Sequence, residues 1–151
     1  MGYLMRFLVT DTMYLTLQDL GSALQRVDAR YQLANTDVPD IADLLFDGTL
    51  LAVLEINRPG DDMFEDDLAE FDEMVGPDHD PTTIRVREVL HQTKALVVAE
   101  VFWEGTESES ALEKLDPLWN WLFQHVQGLA QADTEGFYDS SGLVLERRFT
   151  L

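Results

Sequence analysis

The chain contains no cysteine. That excludes disulfides, thiolate metal sites, a cysteine nucleophile and iron–sulfur clusters, and it agrees with a reducing compartment. Positive charge is nearly as scarce. Ten Lys and Arg stand against 29 Asp and Glu in 151 residues, a formal net charge of −19, and only Lys94 and Lys114 are lysines. A surface of that sign repels phosphate backbones and anionic headgroups, so neither direct nucleic-acid binding nor membrane docking is expected. No apolar run approaches the roughly 20 residues that span a bilayer. Met1 to Thr10 carries Arg6 within its apolar stretch and lacks the layout of a signal peptide. Arg6 also occupies the position where a myristoylation motif takes Ser or Thr. The expected location is cytoplasmic. Also missing are the Gly-x-Ser-x-Gly elbow, the Gly-Lys-Ser/Thr phosphate loop, the dinucleotide Gly-x-Gly-x-x-Gly turn and the His-Glu-x-x-His zinc helix. Each absence lowers the expectation of an enzyme.

What the chain does have is a core. Hydrophobic residues make up 46%, with three Trp, eight Phe and four Tyr, enough for one domain over residues 1–151. The stretch Ala95 to Trp103 is almost continuously apolar and β-branched, which reads as a strand buried on both faces. Tyr3–Thr10 and Tyr31–Ala34 are further strand candidates. Asp47-Gly48 between two apolar runs marks a hairpin, because both central residues of a type I′ turn need positive φ. Leu129–Ala132 and a closing hairpin from Gly136 to Leu145 complete the strands.

Helices announce themselves by caps. Thr16 with Asp19 forms a capping box ahead of the apolar stripe Leu17, Leu20, Leu24 and Val27. Asp62 with Glu65, and Ser110 with Glu113, suggest two more. Asp80-Pro81 starts a helix over Pro81–Thr93, although Ile84 to Arg87 alternates like a strand. Asp116-Pro117 is expected to interrupt the helix after Ser110. Gly21 suggests close packing against the sheet.

Strand–helix–strand–hairpin is thus written twice, over about 3–57 and 95–149, with a two-helix segment at 61–93 between. The expected fold is α+β: a mainly antiparallel or mixed sheet with helices on one face, as two ferredoxin-like units sharing a core.

Candidate functional residues follow from charge and burial. Asp61 to Asp80 holds ten acidic residues and no Lys or Arg. Asp62, Asp66, Glu70 and Glu73 form a carboxylate face suited to a basic protein partner. A helical rod of carboxylates does not converge as calcium requires, and no cofactor is expected. Trp119 and Trp121 differ by about 200° around a helix, so both cannot face one core. Trp121 is therefore a candidate contact residue, with homodimerisation as one use. Glu55 and Glu100, carboxylates within apolar strands, are candidate acid–base groups, and Arg6 or an arginine at 147–148 a candidate partner for them. Asp78, His79 and Asp80 are weak metal-ligand candidates, more simply explained as a solvated turn with a cap. His91 and His125 lie near helix ends, where imidazolium suits the helix dipole. The leading expectation is a non-catalytic protein-interaction module. The alternative is a small-molecule enzyme with a carboxylate/histidine pocket between sheet and helices, and the third an acidic mimic of nucleic acid.

Overall fold

The structure, a computed structural model, describes residues 3–102, 108–133 and 135–147. Trp103, Thr134, Arg148 and the end of the second repeat at 149 fall outside them. Eight strands form one sheet: β1 (Tyr3–Val9), β2 (Tyr31–Asn35), β3 (Ile41–Phe46), β4 (Thr49–Asn57), β5 (Ala95–Val101), β6 (Gly128–Ala132), β7 (Gly136–Asp139) and β8 (Gly142–Glu146). Four helices accompany it: α1 (Leu17–Val27), α2 (Asp62–Val75), α3 (Pro81–Gln92) and α4 (Ser108–His125). The strand order is β2-β3-β4-β5-β1-β6-β7-β8, and every neighbouring pair is antiparallel. The class is α+β, as the pattern of elements indicates.

The helices cover both faces rather than one. Phe7, Val9, Leu54, Ile56, Val97 and Ala99 point to the side where α1 and α4 bring Leu20, Leu24, Leu115, Leu118 and Leu122. The alternate residues Leu8, Leu96, Val98 and Leu129 face Phe64, Phe71 and Val75 of α2 and Val86 and Leu90 of α3. The reason lies in β5 itself. A strand apolar at every position but Glu100 exposes half its side chains unless both faces are covered, and five of its seven residues in succession are buried.

The two halves repeat their element order but not their pairing. After α1 the chain runs out to the edge strand β2 and returns inward through β3 and β4 to β5. After α4 it enters β6 beside β1 and moves outward to β8. The halves are therefore not two equivalent ferredoxin-like units. Position by position, β6 stands where β4 stands in the other half.

Local chemistry explains most boundaries. Thr16 accepts from the Asp19 amide, and the Asp19 carboxylate accepts from the Thr16 amide, so the capping box is complete. Asp47 and Gly48 have φ of 52° and 81°, the positive values a type I′ turn requires. Residues 81–92 are helical, with Asp80 accepting from the Thr83 amide and Pro81 in the first turn. Three expectations change. The cap of α2 is Asp61, accepting from the Met63 amide at 3.0 Å, not Asp62 with Glu65. The helix is already running at Ser108, so Ser110 is interior and caps nothing. Pro117 lies inside α4, which continues through it to His125; the amphipathic face holding Leu115, Leu118 and Leu122 outweighs one lost hydrogen bond.

Candidate functional site

Register assigns side chains to faces. The rows Ile41–Glu55–Val98–Arg6–Gln131 and Asp43–Val53–Glu100–Leu4 run across neighbouring strands. Both lie on the face that carries α2 and α3, since Val98, Leu4 and Leu8 pack there. Glu55 and Glu100 are thus diagonal neighbours on one face, with stems about 7–8 Å apart. Both are half-buried. Burial first, and then the negative charges of Asp61, Asp67 and Glu100, hold the Glu55 carboxyl above the ordinary carboxylate range. The N-terminus of α2 and these sheet carboxylates therefore make one acidic surface.

Neither glutamate pairs with Arg6. Arg6, 5% exposed, donates from Nε to Asp67 Oδ2 at 3.0 Å, and from Nη1 to Gln131 Oε1 at 3.0 Å and Asp133 Oδ1 at 2.7 Å. Its guanidinium lies 5.0 Å from the centre of the Phe71 ring, and Gln131 Nε2 donates to the same Asp133 oxygen. Asp67 is the residue that sequence reasoning missed. It is three positions after Phe64 and four before Phe71, so it shares their inward face. An acidic residue on an apolar stripe, with a lone arginine in an apolar strand, was the available signal.

The other face of α2 is open. Asp62, Asp66, Glu70 and Glu73 are all exposed, and none forms a salt bridge to a described residue. On the outer side, the basic side chains that reach this segment among the described residues lie at its far end: His91 Nε2 is 3.3 Å from Asp72, Arg87 donates to the Gly76 and Asp78 carbonyls, and Arg147 is 3.9 Å from Asp78.

The remaining candidates are dispersed. Asp80 uses its carboxylate on the Thr83 amide and hydroxyl, which holds it below the ordinary carboxylate range. His79 is exposed, and among the described residues no group of three or more His, Asp or Glu is arranged to hold a metal ion. Trp119 is buried while Trp121 is half-buried, the division their angular separation demands. One face of Trp121 stacks on His125 at 4.9 Å, and His125 Nδ1 lies 3.0 Å from the Trp121 carbonyl. A cavity of about 340 Å³ lies between α4 and strands β1, β6 and β7. Neither Glu55 nor Glu100 lines it.

Among the described residues no helix is long and apolar enough to cross a membrane. Compared with protein-family models, curated proteins and solved structures, the chain has no match.

Proposed function

We propose that the chain is a cytoplasmic, non-catalytic binding module that receives a basic segment of another protein on the outer face of α2. One observation carries this reading: four exposed carboxylates, Asp62, Asp66, Glu70 and Glu73, line a helix that has no basic residue of its own. Two features support it. Asp72 and Glu73 sit at the C-terminal end of the helix, where the dipole disfavours them, so helix stability does not account for their placement. The buried Arg6–Asp67 pair beneath holds the helix in one position, and a pre-organised row of charges binds at lower entropic cost.

The other readings have less support. Glu55 and Glu100 lie on the sheet face that carries α2 and α3, away from the cavity between α4 and the sheet. As a nucleic-acid mimic α2 offers a single straight row, Asp62, Asp66 and Glu70 advancing about 6 Å per step, where the phosphates of a duplex follow two winding tracks.

The test is a titration of the full chain with a fluorescent Lys/Arg-rich peptide at about 0.05 and 0.5 M salt, where screening differs severalfold. Neutralising Asp62, Asp66, Glu70 and Glu73 together is expected to weaken binding far more than neutralising Asp37, Asp47, Glu109 and Glu113. Equal losses from the two sets would show only attraction to net charge and would sink the proposal.

A further inference from the structure

The cavity behind α4 lies on the sheet face opposite to the acidic surface of α2, and its chemistry is different. Four aromatic residues, Tyr3, Trp119, Phe123 and Tyr138, line it together with the carboxylates Asp116, Glu135 and Asp139, the last of them paired with Arg85 at 3.1 Å. Asp116 and Glu135 are exposed and Asp139 is half-buried, and the aromatic residues are half-buried except Trp119, which is only 7% exposed. No lysine, arginine or histidine lines the space. Its 340 Å³ falls at the small end of the roughly 300–1,000 Å³ typical of ligand pockets.

Trp119 contributes ring surface only: it lines the cavity, while its Nε1–H is closed off from solvent. Aromatic faces attract cations, and the carboxylates add to that attraction. The same charges disfavour a ligand carboxylate.

We propose that this cavity binds a small organic ammonium ion, with the cationic head among the aromatic rings and carboxylates. Two shifts agree with the assignment. Burial, and then Glu113, push the Asp116 carboxyl up. Burial, the hydrogen bond to Glu135 and the nearby Tyr3 push the Tyr138 hydroxyl up. An arriving cation relieves the first, and the second keeps the phenol neutral.

The site does not depend on the reading of α2, and the probes are choline, tetramethylammonium and the uncharged isostere 3,3-dimethylbutan-1-ol. Each is titrated into the full chain by calorimetry. Choline is expected to bind about tenfold more tightly than the isostere, the ratio that about 1.4 kcal/mol of cation–π and charge attraction produces. Asp116→Asn with Glu135→Gln, both at exposed positions, is expected to cut that preference severalfold, leaving the cation–π part, while leaving the thermal melt unchanged. The proposal is overturned if the isostere binds as well as choline, if no ammonium ion binds at about 10 mM, or if the folded carboxylate variant binds choline as before.

Discussion

Arg6 enters the sheet with its guanidinium enclosed by Asp67, Gln131, Asp133 and the Phe71 ring. A buried charge left without its partner is far more costly than the pair is worth. Arg6→Met therefore strands Asp67 under α2 and is expected to destabilise the fold by about 3–5 kcal/mol in urea unfolding. Arg6→Met with Asp67→Leu, which removes both charges, is expected to lose less than the single change. Glu55 gives the opposite sign from an ordinary paired carboxylate. Its raised pKa, caused first by burial, means that the folded chain holds the proton more tightly than the unfolded one. Stability contributed by this group is greatest below the unfolded value, falls as pH rises through the window between the two, and stays low above it. Glu55→Gln is expected to be more stable than the parent at pH 7, with the gap closing below about pH 4. Unfolding curves across that range check it.

At the scale of elements, caps and close approaches decide what a substitution does. Thr16→Ala removes the hydroxyl that accepts the Asp19 amide and is expected to cost about 1 kcal/mol. Gly128 opens β6 where a Cβ would stand 1.9 Å from the Leu8 carbonyl oxygen. Gly128→Ala must push β6 away from β1, and a loss of at least about 3 kcal/mol is expected in thermal or urea unfolding. Elements with strong local chemistry were legible before any coordinates. Thr16 and Asp19, Asp47-Gly48, Asp80-Pro81 and the apolar run of β5 each state a local preference that the structure keeps. Pro117 was not legible, because its penalty is local while the stripe that overrides it is tertiary. The helices were expected on one face although the apolar run of β5 already asked for cover on both, and the partner of Arg6 was not legible. That partner depends on α2 crossing a strand more than 50 residues away along the chain, which no local pattern encodes. Glu55 and Glu100 were visible as carboxylates in apolar strands, but their shared face follows only from the β4–β5 register. Asp116 and Glu135 carried no signal at all, being two among 29 acidic residues.

As a whole molecule the chain works against its own charge of −19. Self-repulsion of that size favours expansion, and salt screens it. The melting temperature is expected to rise between about 0.02 and 0.5 M NaCl, where the Debye length contracts severalfold. Neutralising Asp62, Asp66, Glu70 and Glu73 is expected to flatten that rise. The order of strands has a further consequence, in time rather than in energy. Of the eight strands described β1 is made before the others, yet its two neighbours are β5 and β6, so its seat does not exist until Ala132 has been synthesised. At about 5–20 residues per second, that interval is on the order of ten seconds. Through it the strands β2, β3 and β4 can already pair with one another, while the apolar stretch Phe7-Leu8-Val9 waits with both edges bare. In the nascent chain the earliest strand of this sheet is thus among the last to be housed, and it is there that a holding chaperone would find its purchase.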